Sequence, residues 1–348
     1  MRNYRKFQRD SLSFLIHKKT VAAFLFLTAA ALFSIIVSLG TGEVYVRPLD
    51  TALAIFGAGD EFNNMIIMEF RMPRILIAFG AGCALALSGA IVQGVIRNPL
   101  ASPDMIGITG GAGVAAVAFF TIFSNSSNAL TVSIMYLPFF AFAGAAAAAI
   151  LLYVLAYKKG VSPIRLVLVG IGLMALFQAL TTLMILMGPI YTAGQATVWL
   201  TGSVNGTAWS DVYSFFPWLI LSLFALVLFT RRLNMQELGE ELSVSSGQPL
   251  HRDRFILLLI STALAGSAAA FAGAIGFVGL VAPHIARRIT GSSHENLLPV
   301  AGMIGGIITV LADFAGRTLF SPLQVPAGVF TAAVGAPYFI YLLIKQHR

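Results

Sequence analysis

Two charged residues near the end of a long apolar run, Asp313 and Arg317, are the first candidates for chemistry in this sequence. Their i, i+4 spacing places them on one face of a helix, where they could form a local ion pair. Alternatively, Arg317 faces outward and binds an acidic partner. A proton relay would need a chain of carboxylates or histidines, and the sequence shows no such chain.

Signatures of catalysis are missing from the sequence. His284 stands alone after Pro283, which favours a structural role, and there is no H-E-x-x-H motif, paired intramembrane aspartate or Ser/His set. No glycine is followed by lysine, so the phosphate-binding loop of ATPases is absent. We therefore predict that the chain is not an enzyme and has no catalytic, cofactor or metal site. If ATP powers it, another chain must supply the ATPase.

Composition indicates the class of protein that must position these residues. Of the 348 residues, 58% are hydrophobic and 10% are charged, whereas a soluble domain has about 25% charged residues. Too few polar residues exist to coat a water-soluble globule, so we predict an all-α polytopic membrane protein. The net charge of +8 is interpreted as an effect of membrane topology and not as a sign of nucleic acid. The single Cys83 excludes an internal disulfide.

Apolar runs long enough to cross a bilayer recur along the chain. The run from Val21 to Leu39 follows a basic N-terminus and is longer than the core of a cleaved signal peptide. The run at 277–290 is short and ends in two arginines, so it must be buried in protein or line a cavity. About ten transmembrane helices are predicted, at 21–39, 75–96, 104–123, 132–157, 165–187, 213–230, 255–275, 277–290, 299–318 and 327–344.

The distribution of Lys and Arg predicts the orientation of these helices. Lysines and arginines accumulate in cytoplasmic loops. With both termini in the cytoplasm, residues 1–20 form a cytoplasmic N-terminus and 231–254 a cytoplasmic loop. Only Arg47, Arg71, Arg74 and Arg317 of the 22 basic residues then fall outside. This asymmetry supports ten spans.

The loop at 231–254 is a basic, polar stretch between two apolar runs of membrane length. Its QELGEELS segment and its Gly247-Gln248-Pro249 turn favour two short helices lying across the membrane face. It is either a docking surface for another protein or an ordinary basic loop.

Two apolar segments of the sequence, Leu85–Ala90 and Leu264–Ala269, resemble each other, and each precedes a proline-containing break. An inverted repeat and a chance similarity of small-residue helices both explain that likeness.

Five motifs occur along the sequence. The first is Arg71-Met72-Pro73-Arg74, and the others lie at 85–113 (LALSGAIVQGVIRNPLASPDMIGITGGAG), 233–247 (LNMQELGEELSVSSG), 273–299 (GAIGFVGLVAPHIARRITGSSHENLLP) and 325–343 (VPAGVFTAAVGAPYFIYLL). In this order, they resemble the motifs of the FecCD family of ABC-importer permeases, which carry ferric siderophores, vitamin B12 or haem. The first motif is similar to the family's R-x-P-R.

The resemblance implies a type II ABC importer permease fold, with residues 1–348 as a single transmembrane permease domain in a bacterial cytoplasmic membrane. It implies several partners: a second permease subunit, identical or paralogous, two ABC ATPase subunits inside and a substrate-binding protein outside. Arg71, Arg74 and Arg317 match positions that meet acidic residues of the binding protein. The ATPase-coupling positions are Leu238, Gly239, Glu240, Glu241, Ser243 and Gly247.

The match to the coupling loop has one departure. The family often has Ala and then Leu-Gly in the second half of this loop, where this chain has Ser243 and Ser246-Gly247. The apolar fit to the ATPase is therefore expected to differ.

The cargo implied by the resemblance is a ferric siderophore, with vitamin B12 and haem as alternatives. Two other classes stay open on the residues alone. An ion-coupled secondary transporter would need buried carboxylates and no ATPase. An intramembrane enzyme would need a nucleophile or metal set.

Overall fold

The computed structural model describes residues 4–9, 12–125, 129–158, 160–188 and 190–346. Parts of the predicted cytoplasmic N-terminus, residues 1–3, 10 and 11, lie outside this range, as do Lys159 and Arg348 of the charge argument.

Fourteen α-helices form within the described residues. They are α1 (Lys18–Gly40), α2 (Pro48–Ile55), α3 (Glu61–Asn64), α4 (Met72–Ile96), α5 (Ile108–Ile122), α6 (Leu137–Ala156), α7 (Pro163–Met187), α8 (Ile190–Thr201), α9 (Trp209–Glu237), α10 (Glu240–Ser245), α11 (Leu250–Ala272), α12 (Val278–Thr290), α13 (His294–Thr318) and α14 (Ala327–Gln346). A wider π-helical segment, Met65–Arg71, leads into α4, and a 3₁₀ turn, Ile134–Tyr136, leads into α6. Before α1, Tyr4–Arg9 and Leu12–His17 pair as antiparallel strands β1 and β2.

Eight helices in the described chain are long and apolar enough to cross a membrane: α1, α4, α6, α7, α9, α11, α13 and α14. The two other predicted spans also form helices, but α5 has 15 residues and α12 has 13. The prediction of an all-α, multi-pass membrane protein is confirmed for the membrane-spanning part of the described chain, and β1 and β2 lie before its first span.

Side-chain contacts define two ends of the bundle. Arg71, Arg74 and Arg317 meet where α1 and α13 end and α4 begins, and we call this side the arginine end. At the opposite side, the loop end, Glu240 of α10 contacts Arg254 at the start of α11. Helices α4 and α11 therefore run antiparallel, as the alternating topology requires.

Small residues bring the central helices into backbone contact. A Cβ atom on Gly89 of α4 would lie 1.7 Å from the carbonyl oxygen of Gly279 in α12, and one on Gly82 would lie 2.3 Å from that of Gly305 in α13. Ser88 and Ser261 pair their hydroxyl groups across α4 and α11 at 2.7 Å. Helices α4, α11 and α13 consequently form the buried centre of the bundle.

Two non-helical segments, the one before α5 and the one before α12, meet inside the bundle. Helix α12 begins beside Gly89, well within the length of α4, and its residues from Val278 to Pro283 are buried. The prediction that this short span is buried in protein is confirmed. The Asp104 carboxylate accepts a hydrogen bond from the Thr109 hydroxyl at 2.8 Å and lies near the Phe277 backbone N–H. It thereby joins the segment before α5 to the start of α12.

Candidate docking and coupling sites

Arg74 is the centre of the polar network at the arginine end. Its Nε and Nη2 donate to Oδ1 of Asp313 at 3.0 and 2.8 Å, although the two residues are 239 positions apart. Its Nη1 donates to the side-chain amide oxygens of Asn205 at 3.1 Å and Gln324 at 2.9 Å. The Asp313 carboxylate is nearly inaccessible to solvent, so this ion pair fastens α4 to α13.

Arg71 and Arg317 bind the end of α1. The last carbonyl groups of a helix have no intrahelical partner and carry partial negative charge. Arg71 donates to the carbonyl oxygens of Leu39 and Val44, each at 2.6 Å. Arg317 donates to those of Ser38 and Thr41. Both arginines therefore cap α1 in addition to any external role.

The local ion pair between Asp313 and Arg317 is formed in the structure, with Nε and Oδ2 3.7 Å apart. The i, i+4 spacing on α13 explains this contact. No pattern in the sequence indicates that Arg74 is the closer partner of Asp313, since that pairing depends on how α4 packs against α13.

A cavity of about 640 Å³ opens beside these arginines. Its wall brings together all three residues that sequence reasoning placed at a docking surface, Arg71, Arg74 and Arg317. It also includes Glu43, Glu69, Asn205 and Gln324, which sequence reasoning missed. Glu43, Asn205 and Gln324 come from separate connecting segments, so no local pattern could have grouped them, whereas Glu69 shares the π-helical segment Met65–Arg71 with Arg71.

At the loop end, Glu240 lies between two arginines. Its Oε1 accepts from Nη2 of Arg254 at 2.7 Å and lies 3.6 Å from Nη2 of Arg97. Arg254 is 1% exposed and also donates to the Val161 carbonyl oxygen at 2.6 Å. The hydrogen bond from Arg254 lowers the pKa of Glu240 below its ordinary value of 4.5. One carboxylate thus holds α10 against the end of α4 and the start of α11.

The other predicted coupling residues divide into internal and external groups. Ser243 is fully buried, and its hydroxyl donates to the Met235 carbonyl oxygen at 2.8 Å. Gly239 has φ of +111° and Gly247 has φ of +80°, so both permit the turns that flank α10. Leu238 and Glu241 are exposed.

The loop holds one short helix, α10, where two were predicted. The reason is that α9 continues to Glu237 and α11 begins at Leu250, which leaves little chain between them. Sequence reasoning also missed Leu242 and Val244, which are 58% and 60% exposed. The i, i+4 spacing of Leu238 and Leu242 was the available signal for an apolar outer face.

Further ion pairs connect α9 to its neighbours at this end. Glu237 accepts from Arg287 of α12 at 2.7 Å, and Asp253 of α11 accepts from Arg232. The Asn234 side-chain oxygen accepts from the backbone N–H of His294 at the start of α13 at 2.8 Å. These contacts fasten the end of α9 to α11, α12 and α13.

A helical bundle of this kind, with eight membrane-length helices among the described residues and charged networks at its two ends, is a multi-pass membrane protein. The model of the FecCD transport family matches residues 30–345. The chain belongs to the FecCD transport family.

Curated relatives support this assignment, and their sequence matches extend over nearly the whole length of both chains. "Probable siderophore transport system permease protein YfhA" of Bacillus subtilis (strain 168) is 52% identical over 95% of this chain and 96% of its own. "Iron(3+)-hydroxamate import system permease protein FhuG" of the same organism is 41% identical over 94% and 97%. A solved structure of a metal-chelate type ABC transporter, in an inward-facing conformation, superposes with a TM-score of 0.82 at 29% identity and covers 93% of this chain and 99% of its own.

Proposed function

We propose that this chain is one of two permease subunits of an ATP-driven importer that carries ferric siderophores across a bacterial cytoplasmic membrane. The observation that carries this proposal is the 52% identity to a siderophore permease over 95% of the chain. The relative named for iron(3+)-hydroxamate supports the same class of cargo. Vitamin B12 and haem are the alternative cargoes. Two separate ATPase chains supply the hydrolysis of ATP.

The arginine end faces outward in this proposal and receives the substrate-binding protein. Arg74 directs its Nη1 to two neutral amides, those of Asn205 and Gln324. A carboxylate of the binding protein is a stronger acceptor than either amide, because a charge-assisted hydrogen bond is roughly twice as strong as a neutral one. Arg74 would therefore exchange amide partners for the docking acid while it keeps Asp313. Arg71 and Arg317 line the same cavity.

The loop end faces the cytoplasm and receives the ATPases. Leu238, Leu242 and Val244 form an exposed apolar surface on and beside α10, which suits insertion into a groove on an ATPase. Closure of the ATPase dimer moves α10, and Glu240 transmits this movement through Arg97 to α4 and through Arg254 to α11. ATP binding drives the transport cycle because ATP has different affinities for the two conformations of the transporter.

Uptake measurements test this proposal. Cells that lack the chain should lose uptake of radiolabelled ferric siderophores and recover it when the full chain is restored. Labelled vitamin B12 and haem serve as the comparison cargoes. Retained siderophore uptake together with lost uptake of either comparison cargo would reassign the cargo. Uptake that persists without any copurifying ATPase would instead favour an ion-coupled transporter.

A further inference from the structure

An apolar groove of about 410 Å³ lies between α9 and α13, with α4 as its floor. Leu87, Leu226 and Leu298 form its buried surface, whereas Val227 on its rim is 71% exposed. The groove follows α13 from Glu295 to Met303, a rise of about 12 Å at 1.5 Å per residue. The proposed transport function leaves this groove unexplained, since it is separate from both the arginine cavity and α10.

The groove has one charge of each sign at its mouth. Arg231 of α9 and Glu295 of α13 both line it at the loop end, and both are exposed. Within the described part of the chain, no ion pair joins them, and Arg231 has no other partner. Glu295 accepts only a hydrogen bond from the Ser293 hydroxyl, at 2.8 Å. The cation of Arg231 and the anion of Glu295 are thus available to a ligand at the mouth of the apolar groove.

We propose that this groove binds a zwitterionic phospholipid with a primary ammonium headgroup, of the phosphatidylethanolamine class. One acyl chain lies along Leu87, Leu226 and Leu298, where its burial is favourable. The lipid phosphate accepts hydrogen bonds from the Arg231 guanidinium, whose planar fork matches phosphate oxygens. The lipid ammonium donates to the Glu295 carboxylate. The leaflet concerned is the one at the loop end, whichever way the chain is oriented.

The two charges discriminate among lipids. A phosphatidylglycerol headgroup would leave Glu295 beside a second negative charge without a compensating cation. A phosphatidylcholine headgroup has a positive charge but no N–H to donate to Glu295. A free fatty acid would engage Arg231 alone. Of these lipids, the primary ammonium lipid is the one that offers Glu295 both a positive charge and N–H donors while its phosphate binds Arg231.

Native mass spectrometry of the full-length chain in mild detergent tests this proposal. The purified protein is delipidated and titrated with phosphatidylethanolamine, phosphatidylglycerol or phosphatidylcholine of identical acyl chains. We expect one tightly retained phosphatidylethanolamine molecule per chain. Arg231→Gln and Glu295→Gln should each weaken its retention by about tenfold, the effect of losing one charge-assisted contact. Val227→Trp should also weaken it by filling the groove.

Matched controls distinguish this site from the general lipid annulus. Arg252→Gln removes an exposed arginine at the same end that has no ion-pair partner among the described residues. Leu228→Trp enlarges a neighbouring exposed residue of α9. Neither should change retention. Equal retention of the three lipids, preference for phosphatidylglycerol, or no effect of the Arg231 and Glu295 variants would each overturn the proposal. Size-exclusion profiles confirm that each variant is folded, and siderophore uptake reports separately on the transport function.

Discussion

Arg254 and Glu240 form a hydrogen-bonded ion pair of 2.7 Å in which the arginine is 1% exposed and the glutamate 45% exposed. A buried guanidinium without a counterion is strongly destabilising. Within the described residues, Glu240 is the carboxylate that contacts Arg254. The helix proposed to receive the ATPase is therefore anchored to the membrane bundle by the same side chain that keeps Arg254 neutralised.

Replacing Glu240 should reduce stability as well as coupling. Glu240→Gln keeps the size of the side chain but weakens its contact with Arg254, and we expect the free energy of unfolding to fall by about 1–3 kcal/mol. Thermal unfolding in detergent measures the change. Glu241→Gln removes an exposed neighbouring carboxylate and is the control. Equal unfolding midpoints for the two variants would contradict the anchoring role.

The contribution of Glu240 to the free energy of unfolding should depend on pH in a defined direction. Its pKa is lowered, first by the hydrogen bond from Arg254, so the folded state favours the charged form. The resulting stability is complete above its ordinary pKa of 4.5 and is lost as the pH falls through the lowered value in the folded state. The difference in unfolding midpoint between the wild type and Glu240→Gln should therefore shrink on acidification below that range. A difference that stays constant or grows would refute this account.

The exposed apolar residues around α10 should control binding of the ATPase. We expect the pair of substitutions Leu242→Asp and Val244→Asp to abolish copurification of the ATPase, because they place charges on an apolar contact, while stability changes little. Val44→Asp introduces the same charge at an exposed apolar residue of the arginine end and is the matched control. ATPase retention equal to that of the control would exclude this surface.

A test of docking at the arginine end must leave intact the hydrogen bonds and ion pairs that the three arginines make within the chain. Replacing Arg71, Arg74 and Arg317 together would also remove the caps of α1 and the partners of Asp313. Asn205→Asp instead places a carboxylate against Nη1 of Arg74. The new carboxylate should compete with a carboxylate of the binding protein for Arg74. The affinity of the permease for the binding protein should therefore fall by about tenfold.

Binding of the purified binding protein to the permease in nanodiscs measures this effect. Ser210→Asp adds a charge to an exposed residue at the same end, outside the cavity wall, and should leave affinity unchanged. Unchanged affinity in Asn205→Asp would remove Arg74 from the docking surface.

The proposed orientation predicts which end reacts with an impermeant thiol reagent. In a Cys83→Ser background, Asp60→Cys should be labelled in intact cells, because Asp60 is exposed at the end of the bundle that carries the arginines. Ser246→Cys, which is exposed beside α10, should be labelled only after permeabilisation. The reverse pattern would invert the topology.

The sequence predicted the helical spans well, because a span depends on a local sum of apolar residues. The segment at 277–290 coincides with α12 to within one residue. The charge count placed Arg47, Arg71, Arg74 and Arg317 at one end, and the family resemblance selected the last three. The number of helices in the coupling loop was predicted wrongly. Hydropathy does not show where a membrane helix stops in water, and α9 continues to Glu237.

By itself, the sequence determined that this is a multi-pass membrane protein, where its membrane-length helices lie and that its motifs resemble those of the FecCD family. Only the tertiary structure decided which charges are paired. Asp313 has an arginine four residues away, yet Arg74, 239 residues away, is its closer partner. Glu240 and Ser243 looked alike as coupling residues, but one neutralises Arg254 and the other is buried against Met235. These roles depend on which distant helices pack together, and composition and spacing do not encode that arrangement.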